Sequence, residues 1–267
     1  MIYVGIVLLI LCVVLLLIRR SQQGKLSEIT SVETSTARQL AEGARYVAER
    51  MGEAGNFNKI TEVKGAIKCD SPLTSELAQQ PCVFYSMNVT REYEETYWET
   101  DSQTKQQVSR TRHGSDTVSS NSQRLTFWVE DATGRTLIDP SDANIDPVQV
   151  MDRFEPGQAM VSVGGFSLDL GGMLPLGGSG RRITGYRYKE SILPLDRPVY
   201  VLGQAVDAGG KLVVQKPKEK GRKFLISLKS EEELVRSTGS TILWLLVGAS
   251  GSGVLGAALI LLGLFRK

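Results

Sequence analysis

The sequence predicts a mainly β protein: an antiparallel β-sandwich or barrel domain with an N-terminal amphipathic helix, flanked by two transmembrane helices. Three observations carry this prediction. Ile2 to Ile18 and Ile242 to Phe265 contain no charged residue, and a helix of about 20 apolar residues spans a bilayer. Between them lie short runs of β-branched and aromatic residues separated by turn signals. Only the stretch 27–52 has a helical period.

The first apolar run (2–18) is followed, not preceded, by basic residues, Arg19 and Arg20, and no Ala-x-Ala site comes after it. It therefore reads as an uncleaved anchor and not as a signal peptide. Together with the second run (242–265) it makes a two-pass integral membrane protein, with both termini on one side and the domain on the other. Arg19, Arg20, Lys25, Lys229 and Arg236 lie on the domain side, against the N-terminal amine, Arg266 and Lys267 on the other. Arginine and lysine resist translocation, so the domain is expected to be cytoplasmic.

In the stretch 27–52, Ile29, Val32, Leu40, Ala44, Val47 and Met51 form one apolar stripe, and Gly52 and Gly55 end it. Glu33, Glu42, Glu49 and Glu53 offset its arginines, which favours packing on the following domain over lying on the membrane surface. From Phe57 the period changes. Strands are expected at 63–67, 82–89, 125–129, 136–138, 158–163, 182–188, 199–203, 212–215 and 224–228, with turns at Asp131-Ala132-Thr133-Gly134, Asp139-Pro140, Asp196-Arg197-Pro198 and Asp207-Ala208-Gly209-Gly210. Strands without long intervening helices make a sandwich or a closed barrel within residues 57–230. The polar segment from Val89 to Thr111 is expected to be a long exposed hairpin turning near Glu99 to Thr104, with Tyr93, Tyr97 and Trp98 on its inner face. The Ser-rich stretch from Thr111 to Ser122 reads as a loop, with His113 exposed in it. The basic run Lys216, Lys218, Lys220, Arg222 and Lys223, broken by Pro217 and Gly221, reads as a solvated loop between strands.

Gly164 to Gly180 contains seven glycines, too many for a stable helix, and it is too short to cross a bilayer. It either folds back on the sheet or dips into the head-group region. The second alternative makes Phe166, Leu168, Leu170, Met173, Leu174 and Leu176 the candidate membrane or ligand contact. In the second apolar run, Gly248, Ser252 and Gly256 recur every four residues, a face on which helix backbones approach closely. Either the first anchor or a second copy of the chain, as a homo-oligomer, fills that face.

Composition excludes several function classes. Net charge is +2, too small for a nucleic-acid-binding field. Three cysteines and one histidine cannot build a structural zinc site of four ligands once Cys12 lies in a membrane helix, still less a RING. The glycine spacing matches neither a dinucleotide fingerprint nor a phosphate loop, and no nucleophile–base pair stands out. We expect no catalytic residues, no metal and no cofactor. Cys82 reads as a small buried hydrophobe.

Several segments resemble the GIDE domain, also called the BAM ("beside a membrane") domain, of MAPL-type mitochondrial ubiquitin and SUMO ligases and their prokaryotic relatives. They are Val63-Lys64-Gly65 with Pro72-Leu73-Thr74-Ser75; Pro81-Cys82-Val83-Phe84-Tyr85; and Phe127 through Asp131-Ala132-Thr133-Gly134 to Asp139-Pro140. Tyr186-Arg187-Tyr188-Lys189-Glu190, Val199-Tyr200-Val201-Leu202-Gly203 and Phe224-Leu225-Ile226-Ser227 follow in the same order. The resemblance spans roughly residues 25 to 240 and implies a β-domain that binds or senses something at a membrane. It carries over no catalytic residue, because the family's ligases recruit the conjugating enzyme through a RING beyond the second membrane helix, whereas this sequence runs only to Lys267. The expected function is therefore a non-enzymatic sensor or interaction scaffold at the bilayer surface, with membrane lipids and a membrane partner as its contacts. The alternative is a subunit of a ubiquitin-like ligase assembly whose catalytic part is on another chain.

Overall fold

The computed structural model describes residues 2–51, 56–100, 105–157, 161–163, 166–168, 181–208 and 210–265. The chain runs through α1 (Ile2–Ser31), α2 (Ala37–Met51), β1 (Asn58–Lys68), β2 (Leu73–Thr74), β3 (Pro81–Thr100) and β4 (Gln107–Arg124). It continues through β5 (Phe127–Asp131), β6 (Gly134–Ile138), β7 (Asn144–Asp146), β8 (Val148–Pro156), β9 (Val161–Val163), β10 (Phe166–Leu168) and β11 (Arg181–Pro194). Last come β12 (Pro198–Ala208), β13 (Lys211–Gln215), β14 (Leu225–Ser227) and α3 (Glu231–Phe265).

Five strands close a barrel. β1 pairs antiparallel with β12 along one edge, from Asn58 opposite Val206 to Ala66 opposite Pro198. Its last residues pair with β5 on the other edge, Ala66 opposite Glu130. β5 turns into β6, β6 pairs parallel with β13 at Leu137 and Val213, and β13 returns antiparallel to β12. This ring is a small Greek-key barrel of the kind typified by the OB-fold. Val63, Ile67, Val129, Ile138, Val201 and Val214 fill it, and Leu40 of α2 plugs it. On β1 the alternation sends Thr61, Val63 and Ile67 inward. Gly65 sits where β1 meets β5, and a Cβ there would lie 2.3 Å from the Glu130 carbonyl oxygen. β14, with β7 beside it, extends the same sheet along β12.

Two insertions into the barrel build a second sheet. The segment between β1 and β5 supplies β2, β3 and β4, and the segment between β6 and β12 supplies β8 and β11. β4, β3, β11 and β8 lie side by side, all antiparallel. β3 has 20 residues, about 65 Å at about 3.3 Å per residue, so this sheet is an arm projecting from the barrel. Its base merges with the barrel core through Val83, Phe84 and Leu193. Farther out, Met87, Val89, Tyr186, Tyr188 and Leu77 make a separate cluster. The choice between sandwich and barrel is thus resolved as a barrel bearing a sheet arm.

Two elements differ from what the sequence suggests. The amphipathic helix starts at Ala37, not at residue 27: Ile29 belongs to α1, and Glu33 to Ser35 pair with β1 at Glu62. The backbone breaks at Thr36 because Thr36 and Gln39 form a reciprocal cap, Thr36 N–H to Gln39 Oε1 (2.9 Å) and Gln39 N–H to Thr36 Oγ1 (3.3 Å). Thr111 to Ser122 is not a loop but part of β4, registered against β3 from His113 opposite Glu94 to Ser122 opposite Ser86. Serine and threonine are tolerated there because only one face of the hairpin is covered.

α1 and α3 lie antiparallel, and both are long and apolar enough to cross a membrane, over Tyr3–Gly24 and Glu231–Gly263. Both continue past their charge-free runs toward the barrel, α1 to Ser31 and α3 back to Glu231.

Candidate functional site

A buried carboxylate and its ion pair mark the junction where the helix pair meets the barrel. On the outer face of β1, Glu62, only 1% exposed, and Lys64 point toward the helices. The Lys64 ammonium donates to Glu62 Oε1 at 2.8 Å and to Glu231 Oε2, at the first residue of α3, at 2.7 Å. It also lies 5.9 Å from the centre of the Tyr200 ring. Partial burial works against the charge on Lys64, but its hydrogen bonds to Glu231 and Glu62 outweigh it and raise the pKa above the ordinary 10.5. From the α1–α2 link, the Thr34 hydroxyl donates to Glu62, Ser35 N–H to the Glu62 carbonyl (2.8 Å), and Glu62 N–H to the Glu33 carbonyl (3.3 Å). The second oxygen of Glu62, Oε2, is buried without a hydrogen-bond partner.

α3 begins here for a local reason. Ser230 N–H donates to Glu233 Oε2 (3.1 Å), and Glu233 N–H donates to Ser230 Oγ (3.2 Å). This is a capping box, and the S-x-x-E pattern was readable in the sequence. One turn on, Leu234 packs with Tyr200 and Leu202, and Val32, the residue after α1, joins them with Leu225 and Val235. Both membrane helices are therefore clamped on one barrel face. A pocket of about 530 Å³ opens beside the clamp between Lys64, Asp196, Pro198, Tyr200, Lys229 and Glu233.

Two buried or turn carboxylates organise the rest. Glu190 accepts the N–H groups of Leu77 (3.0 Å) and Ala78 (2.7 Å), fixing the loop that leads into β3. Asp131, read from the sequence as a turn residue, also accepts Ala37 N–H at 2.8 Å, and Thr133 Oγ1 accepts Arg38 N–H at 3.1 Å. The β5–β6 turn thereby caps α2. Burial pushes the Asp131 pKa up, but hydrogen bonds from Thr133, Ala37 and Gly134 prevail and hold it below the usual aspartate value.

Along the arm, Glu95 sits between Arg112 (2.5 Å) and Arg181 (3.1 Å), which hold its carboxyl below the usual range. Arg181 also lies over Tyr93 and Arg112 over Tyr97. Trp98, expected on an inner face, is 68% exposed near the arm's outer end, with Tyr97 and Val108 beside it.

Phe166 and Leu168 fall in β10, paired with β9, but their side chains, and Leu170, Met173, Leu174 and Leu176 altogether, lie outside the described residues. The flanks of that stretch are placed: Arg181 pairs with Glu95 and Pro156 with Gly185, on the outer part of the arm. In α3 a Cβ on Gly256 would lie 3.0 Å from the Gly5 carbonyl oxygen and one on Gly248 3.5 Å from Leu15, so α1 occupies this face; Ser252 donates back to the Ala249 carbonyl at 3.1 Å. Cys82 is fully buried and its thiol is pushed up to about 11, chiefly by burial, which makes it a poor nucleophile at neutral pH. The side chain of His113 is exposed, 3.8 Å from Glu94. Among the described residues no three His, Cys, Asp or Glu side chains gather as a metal site.

A β-barrel with a sheet arm, clamped to an antiparallel pair of apolar helices, defines a membrane protein with a large domain outside the bilayer. The chain belongs to the GIDE family, described as E3 ubiquitin ligase, whose profile matches residues 95–262, from the outer half of β3 through α3. Comparison with curated proteins and with solved structures finds no match.

Proposed function

We propose that this ligase-related membrane protein acts as a non-enzymatic platform, a sensor or interaction scaffold whose arm presents a contact surface at a set bearing to the bilayer. The observation that carries the reading is the junction. Two helices tied to the barrel by Lys64, Glu62, Glu231 and the Leu234 contact leave the domain little freedom to swing. The contact surface is the outer end of the arm, where Tyr97, Trp98 and Val108 are exposed. Pro156 and Arg181, the described residues on either side of the stretch that holds Phe166 and Leu174, lie on the outer part of the same arm. The side we favour for the domain is the cytoplasm, on the strength of Arg19, Arg20, Lys25, Lys229 and Arg236.

The family description supports a second reading, in which the platform is one subunit of a ubiquitin-like conjugating assembly and the catalytic part is on another chain. Gentle extraction of the full chain from its native membrane, with mass spectrometry of whatever stays bound, tests both. The platform reading expects a set of proteins bound to the native chain and lost from Trp98→Ala. RING-containing or conjugating components in that set select the second reading. An unchanged set in a folded Trp98→Ala chain contradicts the assignment of the arm.

A further inference from the structure

The basic run in the β13–β14 connection is built into the fold, and its position gives it a use. Pro217 and Phe224 are buried and pin its ends. Lys218 N–H donates to Gln204 Oε1 at 2.8 Å, and Gly221 turns the chain at φ +93. Lys216, Lys218, Lys220, Arg222 and Lys223 are all left exposed. Asp142 faces Lys216 at 3.3 Å and Glu219 faces Arg222 at 3.1 Å, while Lys218 and Lys220 form no ion pair among the described residues.

The loop borders a cavity of about 330 Å³ lined by Lys216, Arg222, Lys223, Asp142 and Asn144 together with Leu202, Phe224 and Leu225, while Lys218 and Lys220 stand on the loop outside that lining. Leu202 and Leu225 are the same side chains that pack with Leu234, Val235 and Val32, so the cavity adjoins the helix stems. From Val235 to Ile242, where the apolar run of α3 begins, is seven residues of helix, or about 10 Å. The head-group layer accounts for about 5–7 Å of that. The remaining gap is shorter than the screening length of about 8 Å at physiological salt. Arg19, Arg20 and Arg236 on the stems add positive charge on the bilayer side, whereas Glu231, Glu232 and Glu233 at the start of α3 lie on the barrel side.

We infer that this loop and cavity form a binding site for the anionic head groups of phospholipids in the leaflet next to the domain. A net charge of +2 over the whole chain gives no broad positive field, so the attraction is local to this face. The inference rests on α1 and α3 crossing a bilayer. A basic residue close to an anionic surface changes partition by about fivefold. Losing both Lys218 and Lys220 therefore lowers selectivity by at most about 25-fold.

The test reconstitutes the full chain in vesicles of phosphatidylcholine with a minority of phosphatidylglycerol. The association of spin-labelled forms of the two lipids with the protein is then compared. The native chain is expected to select phosphatidylglycerol, to lose selectivity with added salt, and to lose several-fold in Lys218→Gln/Lys220→Gln but not in Lys218→Arg/Lys220→Arg. Equal association of the two lipids, or native selectivity in the glutamine variant, overturns the site. Inorganic phosphate that abolishes the selectivity at constant ionic strength reassigns the site to a soluble anion and overturns it as well. A chain that does not insert into the vesicles contradicts this site and the platform together.

Discussion

Replacing Lys64 with glutamine should loosen the junction by about 2 kcal/mol. Glu62 is 1% exposed, and its ionic partner is the Lys64 ammonium at 2.8 Å, with the Thr34 hydroxyl as the other donor to its carboxylate. Removing one partner of a buried ion pair costs about 3–5 kcal/mol because the other charge is left uncompensated. The Lys64 side chain is 41% exposed, so water replaces part of what is lost, and the lower range for a hydrogen bond to a charged group, about 1.5–3 kcal/mol, applies. For a domain of this size each kcal/mol moves the melting temperature by about 2–4 °C. Thermal unfolding of the full chain in lipid nanodiscs should therefore show Lys64→Gln melting about 4–8 °C below the native chain. Glu62→Gln/Lys64→Gln should recover part of the loss, since no buried charge remains. The pH dependence has a defined sign: with its folded pKa above 10.5, Lys64 contributes fully below 10.5 and loses its contribution as pH rises through the higher folded value. A Lys64→Gln chain that melts with the native one, or a double variant worse than both singles together, would show that Lys64 does not hold the junction.

Two further outcomes follow from named contacts. Gly256→Leu should part the membrane helices, because a Cβ there already falls 3.0 Å from the Gly5 carbonyl oxygen and 3.1 Å from Leu8; the overpacking costs about 1–3 kcal/mol, and loss of proximity between labels at residues 12 and 253 measures it. Asp131→Ala should remove the cap on α2, lowering stability by about 1–2 kcal/mol at neutral pH. Since the folded pKa of Asp131 lies below 3.8, that difference should persist above 3.8 and close as pH falls through the folded value, as acid titration of the two melting curves would show.

The sequence made some of this legible and hid the rest for physical reasons. The two apolar runs, the β1, β3, β5, β12 and β14 strands and the long hairpin at Glu99 announced themselves through composition and period. The start of α2 was misplaced because Ile29 and Val32 continue its stripe, and the Thr36–Gln39 cap that interrupts it went unread. The part of β4 beyond Thr111 was hidden because Ser119, Ser120 and Ser122 carry no strand signal of their own. Their partners Val89, Asn88 and Ser86 on β3 hold them in the ladder. Barrel closure was beyond local pattern: the β6–β13 pair joins Leu137 to Val213 across the whole of the second insertion. The junction was missed for the same reason, because Lys64 and Glu231 are 167 residues apart. Its local clue was the Ser230–Glu233 capping box.

In the proposed platform the barrel and arm are held at a fixed bearing to the helix pair. The most direct test is the distance between spin labels at Arg110 on β4 and Arg236 on α3, measured by pulsed electron resonance on the full chain in nanodiscs. One narrow distribution is expected in the native chain, broadening in Lys64→Gln. A distribution as broad in the native chain as in that variant would contradict it, leaving a domain tethered but free to swing.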